Sequence, residues 1–137
     1  YIFIKRENIY SIAVSHYFSQ QTGVWVLKPE NSKQYLNTQI EFNEAELISL
    51  YKQVKYYVQE NNWDHYLEGG NGLYIDFNYL LKNPIDTFKK ILKYLEIDYS
   101  TVTIDQLIKK YEFIPTKRPE SAEYIGRLKE VIYSQGI

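Results

Sequence analysis

The opening stretch YIFIKRENIYSIAVSHYF changes period within a few residues, from an apolar run to helical spacing, and that change most restricts the folds open to this chain. Tyr1-Ile2-Phe3-Ile4 reads as a buried strand, apolar on both faces. Asn8 then offers an N-cap for a helix running to about Gln20, with Ile9, Ile12, Ala13 and Tyr17 at its apolar positions. A second apolar run, Leu73 to Phe77, follows the Gly69-Gly70-Asn71-Gly72 cluster. Between the runs, Asn43 and Glu46 form a capping box before Leu47, Leu50, Tyr51, Val54, Tyr57 and Val58 at helical spacing. Strand, long helical crossover, strand implies parallel pairing. The expected fold class is α/β, with a small parallel sheet and several helices.

Three further helices are expected. Asn83-Pro84 starts one that carries Ile85, Phe88, Ile91, Leu92 and Leu95. Another spans Thr103 to about Tyr111, and a last one spans Glu120 to Ser134, stopped by Gly136. The segment Thr22 to Phe42 matches neither period and reads as a long functional or crossover loop. With 137 residues the chain is expected to be a single domain. Two strands make an incomplete sheet, so a strand is expected to be missing, with Ile2 and Ile4 uncovered and the chain prone to self-association.

Sixteen Lys plus Arg against seventeen Asp plus Glu give a net charge of −1, which argues against nucleic acid as a partner, so any anion site is local. The absence of cysteine excludes disulfides and thiolate chemistry and permits a reducing cytoplasm, the expected location. No apolar run reaches the length of a membrane span. His16 and His65 are isolated, so no metal site is expected. The pair Asp64-His65 lacks a nucleophile motif, and the glycine cluster precedes a strand where a phosphate loop follows one.

The first strand, turn and helix carry the chemistry. Arg6 leaves the strand's carboxyl end, and Ser11 and Ser15 lie four apart on the next helix. A guanidinium fork, hydroxyls and helix N-terminal amides together suit a phosphate. Against this stands pairing of Arg6 with a surface carboxylate such as Glu7.

Arg6-x8-Ser15, the Ala-Val-Ser that ends at Ser15, and Gln21-Thr22-Gly23-Val24-Trp25 resemble the bacterial trehalose-type sulfotransferase family. The resemblance continues through the long amphipathic helix, Trp63, and the segment Phe77-Asn78-Tyr79-Leu80-Leu81-Lys82-Asn83-Pro84, where the family has Tyr-Glu in place of Phe77-Asn78. It implies a P-loop-like three-layer fold and an enzyme that moves a sulfuryl group from 3′-phosphoadenosine 5′-phosphosulfate to a hydroxyl of a carbohydrate or glycolipid. It also implies that Arg6 and Ser15 clamp the donor's 3′-phosphate. Lys117 and Arg118 are weaker candidates for the same anion, with an exposed basic loop as the rival reading. Trp25 is expected at the acceptor side or a subunit interface, the latter in keeping with a homodimer. The family's 5′-phosphosulfate loop and general base have no counterpart here, so the chain resembles the family's C-terminal portion, is expected to be inactive alone, and offers no catalytic residue of its own. Two other readings stay open: a P-loop nucleotide kinase remnant, and a helical interaction module presenting Tyr56, Tyr57 and Tyr66.

Overall fold

A computed structural model describes residues 1–60, 69–70, 72–110 and 118–137. Lys117, Trp63, Asp64, His65 and Tyr66 lie outside the described residues. The chain divides into two compact units. One comprises Tyr1–Arg6 and the described residues between Asn62 and Phe113; the other comprises Glu7–Asn61 and the described residues from Ile114 to Ile137.

The first unit holds a two-stranded sheet, β1 (Ile2–Lys5) and β2 (Leu73–Asp76). The strands are parallel, with Ile2 opposite Leu73 and Lys5 opposite Asp76. Parallel pairing is therefore as the crossover length implies. Helices α4 (Phe77–Lys82), α5 (Pro84–Tyr94) and α6 (Thr101–Lys110) follow. The strand expected to reach Phe77 ends at Asp76, because the Asp76 side chain accepts the Tyr79 amide at 2.7 Å and so starts α4 one residue later.

Ile2 and Ile4 are uncovered, as expected of an incomplete sheet, while the reading of β1 as a fully buried strand fails. No residue of β1 is fully buried: Ile2 and Ile4 are 38% and 54% exposed, and Phe3 and Lys5 are partly buried. On α5, Ile85 and Phe88 are exposed as well, as is Leu95 at its C-cap, and Thr87 is its buried residue. A sheet of two strands is too narrow to cover both β1 and the whole apolar stripe of a helix.

The second unit is helical: α1 (Ile9–Thr22), α2 (Ser32–Asn37), α3 (Glu44–Lys55) and α7 (Ser121–Gln135), with a single wide turn at Tyr56–Glu60 after α3. Asn8 caps α1 by accepting the Ser11 amide at 3.0 Å, and Asn43 caps α3 by accepting the Glu46 amide at 3.2 Å. Both caps stand where the sequence places them. The segment Thr22 to Phe42 is more ordered than a loop, since Pro29 opens a short helical turn that leads into α2.

The core of this unit joins Ala13, Val14, Tyr17 and Phe18 of α1 to Leu47, Leu50, Tyr51 and Val54 of α3 and Tyr124, Leu128 and Ile132 of α7. Tyr124 is its aromatic centre, with ring centroids of Phe18 at 5.1 Å and Phe42 at 5.2 Å, both edge-on. Each such pair contributes roughly 0.5–1.5 kcal/mol beyond area burial. The Tyr17 hydroxyl, buried with its ring, donates to the Glu41 carbonyl and accepts the Asn43 amide at 2.8 Å, which fixes the entry to α3. Burial, the largest cause, raises the Tyr17 pKa and keeps the phenol protonated.

Candidate functional site

In the first unit, parallel pairing brings the carboxyl ends of both strands to one edge. Open parallel sheets take their ligands at this edge. Lys5 and Asp76 are register partners, so the next residues, Arg6 and Phe77, leave the sheet side by side. The Arg6 guanidinium carbon lies 5.5 Å from the centroid of the Phe77 ring, within the range of a cation–π contact. Arg6 is partly buried, and desolvation lowers its pKa, although a guanidinium stays protonated at any physiological pH. It is a cation drawn partly out of water beside an aromatic face, and an anion that reached it would meet weaker screening than at an exposed arginine.

In the second unit, Ser15 lies one turn beyond Ser11 on α1, partly buried between buried Val14 and exposed His16. Asn8 has already taken the Ser11 amide, so the amides of Ile9 and Tyr10 are the ones without an intrahelical partner at this helix start.

The Gln-Thr-Gly-Val-Trp run resolves into structural letters and one unexplained one. The Thr22 hydroxyl donates to the Phe18 carbonyl at 2.8 Å and accepts the Val24 amide at 3.2 Å. Gly23 ends α1 in the left-handed region at φ 70°, where a Cβ would be strained. Gln21 donates to the Tyr17 hydroxyl at 3.4 Å, and Val24 enters the core. Trp25 remains 60% exposed, with the His16 ring edge-on at 5.9 Å. An indole this exposed contributes little to the core.

Arg118 behaves differently from the basic-loop reading. It is 2% exposed and donates from Nη2 to the Thr38 carbonyl at 2.9 Å, from Nη1 to the Tyr35 carbonyl, and from Nε and Nη2 to the two carboxylate oxygens of Glu120 at 3.3 and 3.0 Å. Its guanidinium carbon also lies 5.5 Å from the Phe18 ring centroid and 5.4 Å from that of Tyr35. Every nitrogen of the fork is engaged within the unit. The hydrogen bonds from Arg118 hold the Glu120 carboxyl below the usual carboxylate range. This arginine fastens the end of α2 to the start of α7.

The structure thus brings Arg6 to Phe77 and the strand ends, Trp25 to His16, and Arg118 to Tyr35, Thr38 and Glu120. Sequence reasoning missed Phe77 and the Arg118 clamp. The signal for the first was an aromatic at the register position beside Arg6; for the second it was an acid two residues after an arginine at a helix start.

Among the described residues no group of three or more His, Cys, Asp or Glu could hold a metal ion, and no helix is long and apolar enough to cross a membrane. Tyr56 and Tyr57 are exposed in the turn after α3, with ring centroids 5.8 Å apart.

Searches of curated proteins and of solved structures returned no significant match. A family model does match: the model described as Stf0 sulphotransferase aligns with residues 1–130, nearly the whole length. The chain belongs to the Stf0 sulphotransferase family.

Proposed function

We propose that this chain anchors the sulfuryl donor of a sulfotransferase, with 3′-phosphoadenosine 5′-phosphosulfate as that donor and a hydroxyl of a carbohydrate or glycolipid as acceptor, acting in the cytoplasm. In the reaction the acceptor oxygen attacks sulfur, the bond from sulfur to the donor's phosphate oxygen breaks, and the acceptor's proton passes to a base. The leaving nucleotide is 3′-phosphoadenosine 5′-phosphate. On this reading the two-stranded sheet and its helices are part of a P-loop-type, three-layer nucleotide-binding fold. No residue here is assigned as the catalytic base, and the chain alone is read as a donor-anchoring part without transferase activity.

The observation that carries the reading is the position of Arg6, in a member of a sulphotransferase family, at the carboxyl end of a parallel strand. A guanidinium there presents a bidentate fork suited to a phosphate dianion. Ser15 is the second anchor, a hydroxyl that donates to a phosphate oxygen, and Lys117 a further cation for the same group. Arg118, whose nitrogens are all engaged, acts in this reading through the fold and not on the ligand. Trp25 is assigned to acceptor binding or to an interface with a second copy.

The test is calorimetric titration with 3′-phosphoadenosine 5′-phosphate, AMP and ATP, repeated on Arg6→Ala and Ser15→Ala. A preference for the 3′-phosphorylated nucleotide that disappears in Arg6→Ala supports the reading. Equal binding of all three nucleotides, or a preference for ATP, contradicts it and favours a kinase-like site.

A further inference from the structure

The family reading assigns Arg6 to an anion but says nothing of what holds its side chain in place. We infer that Phe77 is a positioning residue for the Arg6 guanidinium, orienting it for a phosphate at the carboxyl edge of the sheet; the inference rests on the reading of Arg6 as the donor anchor.

The backbone makes the juxtaposition unavoidable. Lys5 pairs with Asp76 in register, so Arg6 and Phe77 are the first residues beyond the paired strands on the same edge. Phe77 is itself held in place: it is the first residue of α4, whose start is fixed by the Asp76 side chain on the Tyr79 amide at 2.7 Å, and whose Leu80 is buried. The ring thus offers a fixed face, and the guanidinium carbon lies 5.5 Å from its centroid.

The two interactions of a guanidinium are of different kinds. A guanidinium carries five N–H donors and is attracted to a ring as a cation, whereas a bidentate contact with an oxyanion takes two of those donors. A ring beneath Arg6 can therefore fix its orientation without competing for the bonds an anion needs. An arginine already held loses less side-chain freedom when a phosphate arrives. One oxygen of the neighbouring carboxylate, Asp76, is engaged by the α4 cap, which limits its competition for Arg6.

The experiment compares the full 137-residue chain with Phe77→Leu, Phe77→Tyr and Arg6→Ala. The first readout is ligand-free: the ring-current shift and amplitude of motion of the Arg6 Nε–H resonance. The second is affinity for 3′-phosphoadenosine 5′-phosphate relative to AMP. Phe77→Leu is expected to abolish the ring-current shift and weaken the 3′-phosphorylated nucleotide about threefold to tenfold, the range of one cation–π contact, while AMP is unchanged. Phe77→Tyr keeps both. If Phe77→Leu does not fold, Phe77→Met removes the ring with a longer, more adaptable side chain in its place, and a missing ring-current shift in the unaltered chain already overturns the inference. If Arg6→Ala loses the preference and Phe77→Leu retains it, the role of Phe77 falls alone. If Arg6→Ala retains the preference, the anchor reading falls and the Phe77 proposal with it.

Discussion

Replacing Arg118 with Met tests whether this guanidinium belongs to the fold or to a ligand. The side chain is almost fully buried, so its removal leaves acceptors behind. The Thr38 carbonyl loses a bond of 2.9 Å, the Tyr35 carbonyl loses its donor, and Glu120 loses both of its contacts. A hydrogen bond to a charged group contributes about 1.5–3 kcal/mol, and an acceptor stranded in the interior costs about 1–3 kcal/mol. Glu120 is 39% exposed and can turn to water, which discounts its share. Met restores part of the apolar contact with Phe18 and Tyr35, but not the cation–π attraction. The expected loss is about 3 kcal/mol, at the low end of what breaking a buried ion pair costs. Urea unfolding followed by circular dichroism should show a lower midpoint at unchanged slope, with a melting temperature lower by roughly 10 °C. Arg118→Lys, which keeps the charge without the fork, should fall between the two. A loss below about 0.5 kcal/mol, the level of an ordinary surface substitution, would refute the clamp and return Arg118 to the candidates for ligand contact.

Four other outcomes follow from the geometry. Tyr17→Phe removes the hydroxyl that joins Glu41 to the Asn43 amide and should cost about 1–2 kcal/mol in the same unfolding assay, with no change in nucleotide preference. The Glu120 carboxyl is held low by Arg118, so its contribution to stability is present above the unfolded carboxylate pKa and is lost as pH falls through the folded one; Glu120→Gln should flatten the acid limb of a stability–pH profile. Gly23→Ala places a Cβ in the left-handed region and should destabilise by about 1 kcal/mol, measured by the same denaturation. Trp25→Ala should change stability by less than about 0.5 kcal/mol, and a larger loss would show that the indole supports the fold.

Much of this architecture is local and for that reason legible in the sequence. Asn8 and Asn43 announce their helices because an Asx cap needs only residues three positions away, and both bonds form. Parallel pairing follows from the length of the crossover between two apolar runs. What the sequence conceals is nonlocal or competitive. Phe77 looks like the last letter of a strand, yet the Asp76 cap claims it for a helix, since a short polar side chain on a free amide outweighs one further ladder position. Ile85 and Phe88 have the spacing of a buried face and remain exposed, because periodicity states which face is apolar and not whether anything covers it. Arg118 reads as basic-loop chemistry beside Lys117, while its carbonyl partners, Tyr35 and Thr38, lie some eighty positions away in the chain. The motif letters Thr22, Gly23 and Val24 likewise have structural reasons that spacing alone does not reveal.

The central proposal is that Arg6 holds the 3′-phosphate of the donor. The most direct measurement is the difference in amide and arginine Nε–H chemical shifts between the chain saturated with 3′-phosphoadenosine 5′-phosphate and the chain saturated with AMP, which isolates the effect of that one phosphate. The account predicts that the Arg6 side chain carries a large difference shift. Difference shifts confined to other residues, with the Arg6 side chain unmoved, would contradict it.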